Sequence, residues 1–278
     1  IVSLPLEFAY AMAIPKSSGK LVSAQVEASI AGASGTYLEH RSFYTNSGGV
    51  DVPVLVGSPS LTVDKTTKMT YSIDTNAATL RYNYVIPEGA RGQSVSFTFS
   101  VTSSDGKTAS YKMGPYTISK MSINRNLAVS NGVNAYISIE DMAVYNAAAA
   151  AATPGKIDLV YLFRAAPTTF THALVSPAAD AAYLPGVTLP AGLNRSTKLR
   201  KVFNLQDRNL ANLQFGIYVD DVDLINVDMV DMPNYAIGLR AEAGVWVETA
   251  DKKYRAYIFV NSINAAGTAV ISMLRYTL

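Results

Sequence analysis

The chain has 278 residues, room for two domains at roughly 100–200 residues each, and 49% of them are hydrophobic, which excludes a disordered chain. Charged residues make up 16% and the net charge is +2, so no nucleic-acid partner is implied, because that would require a clustered basic face. The absence of cysteine removes disulfides, thiolate metal sites and cysteine nucleophiles.

The chain opens on Ile1 rather than Met, so a leader has been removed or the sequence trimmed. No charged n-region followed by an apolar h-region is present, and no apolar run approaches the ~18 residues that would cross a bilayer. Any membrane contact is therefore expected through an anchor upstream of Ile1.

Strands are predicted at residues 20–30, 52–56, 69–73 and 79–86, the last with Leu80, Tyr82, Tyr84 and Ile86 in phase and closed by Pro87-Glu88-Gly89. The clearest signal is Ser94-Val95-Ser96-Phe97-Thr98-Phe99-Ser100-Val101, whose period of two places Val95, Phe97, Phe99 and Val101 on one buried face. Asp105-Gly106 then predicts a hairpin, because its turn needs positive φ angles. Gly114-Pro115 interrupts the return strand and marks an edge or a bulge, since proline donates nothing to a ladder. Short strands separated by turn chemistry predict an immunoglobulin-like β-sandwich over residues 1–122.

Residues 121–135, with Asn124-Arg125-Asn126 and Ser130-Asn131-Gly132, read as a junction. Residues 123–278 form a second β-rich domain, α+β or a decorated sandwich, with one or two short helices. Strands are expected at 136–139, 156–163, 214–219, 237–247, 254–261 and 270–276. A helix is expected in the alanine-rich stretch 142–152, stopped by Pro154-Gly155, and another at 206–213. The basic stretch Arg195, Lys198, Arg200, Lys201 reads as a solvated loop or strand edge.

The hairpin Phe97-Thr98-Phe99-Ser100-Val101-Thr102-Ser103-Ser104-Asp105-Gly106-Lys107 resembles the last two strands of bacterial Ig-like and PKD-like domains. Lys156-Ile157-Asp158-Leu159-Val160-Tyr161, followed by His172-Ala173-Leu174-Val175-Ser176-Pro177, resembles exported, uncharacterised lipoproteins of Bacteroides-type bacteria. That resemblance implies a lipidated cysteine upstream of the chain and residence at the outer membrane or cell surface. It transfers no catalytic residue.

The two histidines, His40 and His172, lie in different domains, and Ser176 near His172 is not by itself a nucleophile–base arrangement. No His-Glu-x-x-His, Gly-x-Ser-x-Gly or phosphate-loop motif occurs. Asp220, Asp221, Asp223 and Asp228 offer the oxygen ligands of a calcium site, but without the glycine and glutamate of an EF-hand loop. The competing reading is two strand ends with solvent-facing Asp around a turn. Around the single tryptophan, alternation puts Ala241, Ala243, Val245 and Val247 on one face and Glu242, Gly244, Trp246 and Glu248 on the other. An aromatic ring beside carboxylates suits sugar stacking, so Trp246, Glu242 and Glu248 are the candidate ligand-binding residues. The competing reading is a Trp246 covered by a loop or helix, or by the other domain.

The sequence thus points to a non-enzymatic, monomeric cell-surface binding or scaffold protein with a glycan or another surface protein as partner. The alternatives are an adhesin or assembly protein pairing through strand edges, and a glycan hydrolase using Asp or Glu.

Overall fold

The computed structural model describes residues 1–203 and 219–278, in two compact units, Ile1–Ser119 and Lys120–Leu278. Both are β-rich, as expected, and the boundary falls three residues before the predicted one. The helix predicted at 206–213 and nearly all of the strand predicted at 214–219 lie outside the described residues.

The first unit contains β1 (Pro5–Ala13), β2 (Leu21–Ala28), β3 (Tyr37–Leu38), β4 (Arg41–Thr45), β5 (Asp51–Leu55), β6 (Leu61–Val63), β7 (Thr66–Thr70), β8 (Ala77–Val85), β9 (Ser94–Ser103) and β10 (Thr108–Thr117). One sheet runs β1-β8-β3 and a second runs β10-β9-β2-β7-β6, while β4 and β5 pair as a separate hairpin. The two larger sheets share one core. Phe97 of β9 lies 4.8 Å from Phe8 of β1 and 4.9 Å from Tyr84 of β8, ring centre to ring centre, so aromatic side chains interlock between the sheets. Such rings bury roughly 150–250 Å² each and dominate a core of this size.

The period-two reading of β9 holds: Val95, Phe97 and Phe99 are buried, and only Val101, toward the hairpin end, is partly open. Gly106 takes a φ of 80° in the turn to β10. The register between β9 and β10 shifts between Met113 and Tyr116, so Gly114-Pro115 forms the bulge on an edge strand that proline required. Strand β1 was not predicted, although Leu6, Phe8, Tyr10 and Met12 carry the same alternation.

The second unit contains β11 (Ser122–Ser130), β12 (Asn134–Ser138), β13 (Ala143–Asn146), α1 (Ala147–Ala152), β14 (Leu159–Arg164), β15 (Thr171–Val175), β16 (Lys198–Val202), α2 (Asp221–Asn226), β17 (Tyr235–Leu239), β18 (Gly244–Glu248), β19 (Tyr254–Ile263) and β20 (Thr268–Thr277). Two five-stranded antiparallel sheets, β11-β20-β19-β18-β16 and β13-β12-β14-β15-β17, face each other. Val245, Val247, Ile258 and Ile271 of the first meet Ile137, Leu159, Tyr161 and Leu174 of the second. The outer face of the second sheet is covered by Ala150 of α1 and by Leu193 and the proline-punctuated loop before it.

Four local expectations are corrected. The junction at 121–135 is mostly strand: Asn126, with a φ of 59°, sits at a bulge where β11 shifts register between Asn124 and Leu127, so its turn chemistry bends a strand instead of reversing the chain. The alanine-rich helix starts only at Ala147, where the side chain of Asn146 accepts the Ala149 N–H at 2.9 Å. The expected strand 237–247 is two strands, β17 and β18, broken by a turn in which Glu242 takes a φ of 67°. The aspartate run forms helix α2 instead of strand ends. No described helix is long and apolar enough to cross a membrane.

Candidate functional site

At one end of the C-terminal unit, the β14–β15, β17–β18 and β19–β20 connections converge on the last residues of β16. Together they enclose an open cleft of about 940 Å³. A rigid sandwich presenting loops at one end is a common platform for recognition.

The rim carries Lys201, Phe203 and Arg240, all exposed, with Thr168 and Thr169 supplying hydroxyls, while Phe163 is half-buried in the wall. Lys201 donates from Nζ to the Ile237 carbonyl at 2.6 Å, and its ammonium lies 5.4 Å from the centre of the Phe203 ring. Gly238 makes this arrangement feasible. It has a φ of 65°, and a Cβ there would sit 3.1 Å from the Thr169 carbonyl and 3.7 Å from Lys201 Nζ. Bare backbone at Gly238 therefore leaves the lysine room to arc over β17.

His172 forms the floor. It is buried, with Nδ1 2.6 Å from the Tyr161 hydroxyl and the Phe163 ring 4.6 Å away. Burial pulls its pKa down, against a hydrogen bond to the backbone of Asn264 that pulls the other way. The neutral ring is thus anchored between a tyrosine and a backbone group. Among the described residues no carboxylate lines the cleft. Burial and the nearby Arg240 lower the pKa of Lys201.

The residues singled out by alternation lie elsewhere. Trp246 has the predicted phase, opposite the core face of Val245 and Val247, but its own face is also closed: the side chain is 4% exposed and packs on Tyr257 at 4.8 Å. The space beside Gly244 is filled by Tyr257, whose Oη stands 2.2 Å from where a Cβ would be. Glu248 is buried and paired with Arg255 at 2.9 Å, and Arg255 in turn donates to the carbonyls of Leu224 and Ile225, tying α2 over this sheet. Glu242 stands in the turn before β18. The expected open platform of one aromatic and two carboxylates is therefore not formed: Trp246 is closed over and Glu248 is held in an ion pair.

The aspartates are occupied locally. The side chain of Asp220 accepts the Val222 and Asp223 N–H groups, and Asp223 answers with a bond from the Asp220 N–H, a reciprocal cap of α2. Asp221 adds favourable charge to the first turn, and Asp228 accepts the Val230 N–H. Among the described residues no three His, Asp or Glu side chains are grouped to hold a metal ion. Ser176 is buried, with its hydroxyl donated to the Arg195 carbonyl and accepting the Thr197 N–H.

An ionic cluster running from the buried Asp158 to the surface lies beside that serine. Arg195 Nε is 2.8 Å from Asp158 Oδ1, off the N–H axis, so the pair is ionic without an aligned hydrogen bond. Arg195 also reaches Asp251 at 3.1 Å. Burial drives the Asp158 pKa up to about 6, despite the Ile139 N–H and Arg195. Partial burial also raises Asp251, but hydrogen bonds from Thr249, Lys253 and Arg195 outweigh it and hold it at about 2.

Comparison with known proteins places the chain. The profile of DUF8576, described as a domain of unknown function, matches residues 119–278, and that of DUF4466, also a domain of unknown function, matches residues 1–118. A crystal structure of a DUF4466 family protein from Parabacteroides merdae superposes with a TM-score of 0.91 at 47% identity, covering 100% of this chain and 93% of the other. The chain belongs to the DUF4466 family. No curated protein matches it. The predicted kinship with proteins of Bacteroides-type bacteria holds at this level, and the family seam at 118/119 coincides within a residue with the division between the units.

Lys201, Phe203, Arg240 and Phe163 were not predicted as site residues. They come from three strand ends, those of β14, β16 and β17, separated by up to 77 positions, and no spacing in the sequence joins them. The one partial signal was the basic stretch ending at Lys201.

Proposed function

We propose that this DUF4466 family member is an exported, non-enzymatic binding protein, held at the cell surface by a lipid anchor, that recognises a glycan in the strand-end cleft of its C-terminal unit. The observation that carries this reading is the composition of the cleft: aromatic rings at Phe163 and Phe203, hydroxyls at Thr168 and Thr169, and two cations, without a carboxylate among the described lining residues. Rings with adjacent polar groups suit a sugar's apolar faces and hydroxyls. The ring nitrogens of His172 engage Tyr161 and the Asn264 backbone, which favours binding over proton transfer. The relative from Parabacteroides merdae supports a Bacteroides-type source; export and a surface location are carried over from the resemblance of the sequence to exported lipoproteins.

The N-terminal unit serves as spacer. We read its two larger sheets as a variant of the immunoglobulin-like sandwich expected from the sequence, with the terminal strands exchanged: β1 pairs with β8 and β9 pairs with β2.

Screening the labelled full chain on a glycan array tests the reading. Binding to a defined subset, lost in Phe203→Ala, is expected; binding unaffected by that change would place the site elsewhere. A second reading, assembly through strand edges, draws on β10, an edge strand exposed along nearly its whole length and carrying an open Tyr111. Self-association in light scattering without glycan binding would favour it.

A further inference from the structure

We infer that the ligand of the strand-end cleft is an anionic saccharide, whose acid group is held by Lys201 and Arg240. This rests on the cleft being the binding site, and it adds the chemical class of what binds there.

Lys201 and Arg240 rise from the ends of neighbouring strands, β16 and β17, into the same cleft. Neither forms an ion pair with a carboxylate of the described residues. The acidic residue closest to Arg240 in sequence, Glu242, is not part of the lining. Some other cations of the unit do have carboxylate partners, Arg195 with Asp158 and Asp251, Arg255 with Glu248, and Lys156 with Asp141, while Lys198 and Arg200 donate to backbone carbonyls but do not line the cleft. Two like charges near one another, one tethered to a backbone carbonyl, raise the free energy of the empty site. An anion between them removes that repulsion and gains charge-assisted hydrogen bonds.

The tether matters for selectivity. The bond to Ile237, together with the Phe203 ring 5.4 Å away, restrains the ammonium, so less side-chain freedom is lost when a ligand arrives. The same ring lies beside the charge, so a sugar stacked on Phe203 brings a ring substituent within reach of Lys201. Arg240 adds a planar fork that matches a carboxylate or a sulfate ester.

Isothermal titration of the full chain separates the cases. The probes are tetragalacturonate, its fully methyl-esterified form, and a heparin-derived tetrasaccharide as the sulfated arm. We expect at least one acidic probe to bind roughly tenfold or more tighter than the neutral ester, since hydrogen bonds to charged groups are the stronger class. That preference should fall to near parity in Lys201→Met/Arg240→Gln and decline as salt rises. Both side chains are exposed, so the double variant should melt within a degree or two of the parent; the single Arg240→Gln variant, expected to lose about half the preference on a logarithmic scale, provides the second measurement. Equal binding of ester and acids, abolished by Phe203→Ala, would overturn the anionic assignment and leave the cleft intact as the site. Acid binding indifferent to all three substitutions would overturn both. Absence of binding by either acid would overturn the anionic assignment.

Discussion

Trp246→Ala separates a structural tryptophan from a ligand platform. The ring is 4% exposed and packed on Tyr257 within the outer face of the β18–β19 pair. An indole of this kind removes roughly 200 Å² from water, and at about 25 cal/mol per Å² this contributes up to about 5 kcal/mol. Measured truncations of buried Trp or Phe to Ala cost about 3–5 kcal/mol. For a unit of this size each kcal/mol shifts the melting temperature by about 2–4 °C, so the variant should melt roughly 6–20 °C lower. Because Trp246 is the only tryptophan, unfolding of the variant must be followed by circular dichroism near 215 nm, while in the parent its fluorescence reports the C-terminal unit alone. Below the melting transition, glycan binding by Trp246→Ala should match the parent. A loss of stability under about 1 kcal/mol, with binding abolished, would refute the reasoning and return Trp246 to the ligand.

Other substitutions probe the packing and the buried charge. Gly244→Ala places a methyl group against the fully buried Tyr257 ring and should destabilise the unit by about 1–3 kcal/mol in urea titrations; a neutral result would mean the ring has room to retreat. Asp158 titrates near 6 in the folded chain and at its ordinary value of 3.8 when unfolded. Between those values the native state holds a proton that the unfolded chain has released, so this group's stabilisation is complete below about pH 4 and is lost as pH rises through 6. The change amounts to at most roughly 3 kcal/mol. In Asp158→Asn that loss is absent, so the stability of the variant relative to the parent should improve by up to that amount between pH 4 and 7. A difference that is flat with pH would contradict the assignment.

The fold was largely legible because alternation is a local signal. β8 and β9 show it in eight or more consecutive residues, and Asp105-Gly106 declares its hairpin. The errors came where one local signal served another purpose. Asn124-Arg125-Asn126 looked like a turn and made a bulge, and the aspartate run looked like two strand ends around a turn although its carboxylates cap a helix six residues long. The phase of Trp246 was read correctly, yet whether the opposite face of a strand meets water or packed side chains is decided by tertiary packing, which alternation does not report. The cleft was invisible for the same reason in stronger form. Phe163, the Lys201–Phe203 pair and Arg240 are ordinary residues at the ends of three different strands, and only the closing of the two sheets brings them together.

The most direct measurement is a crystal structure of the chain with the tightest glycan from the array bound. The account predicts ordered sugar in the strand-end cleft, a ring against Phe163 or Phe203 and an acid group between Lys201 and Arg240. Sugar ordered elsewhere, along the β10 edge or on another face of the C-terminal unit, with this cleft empty, would contradict it.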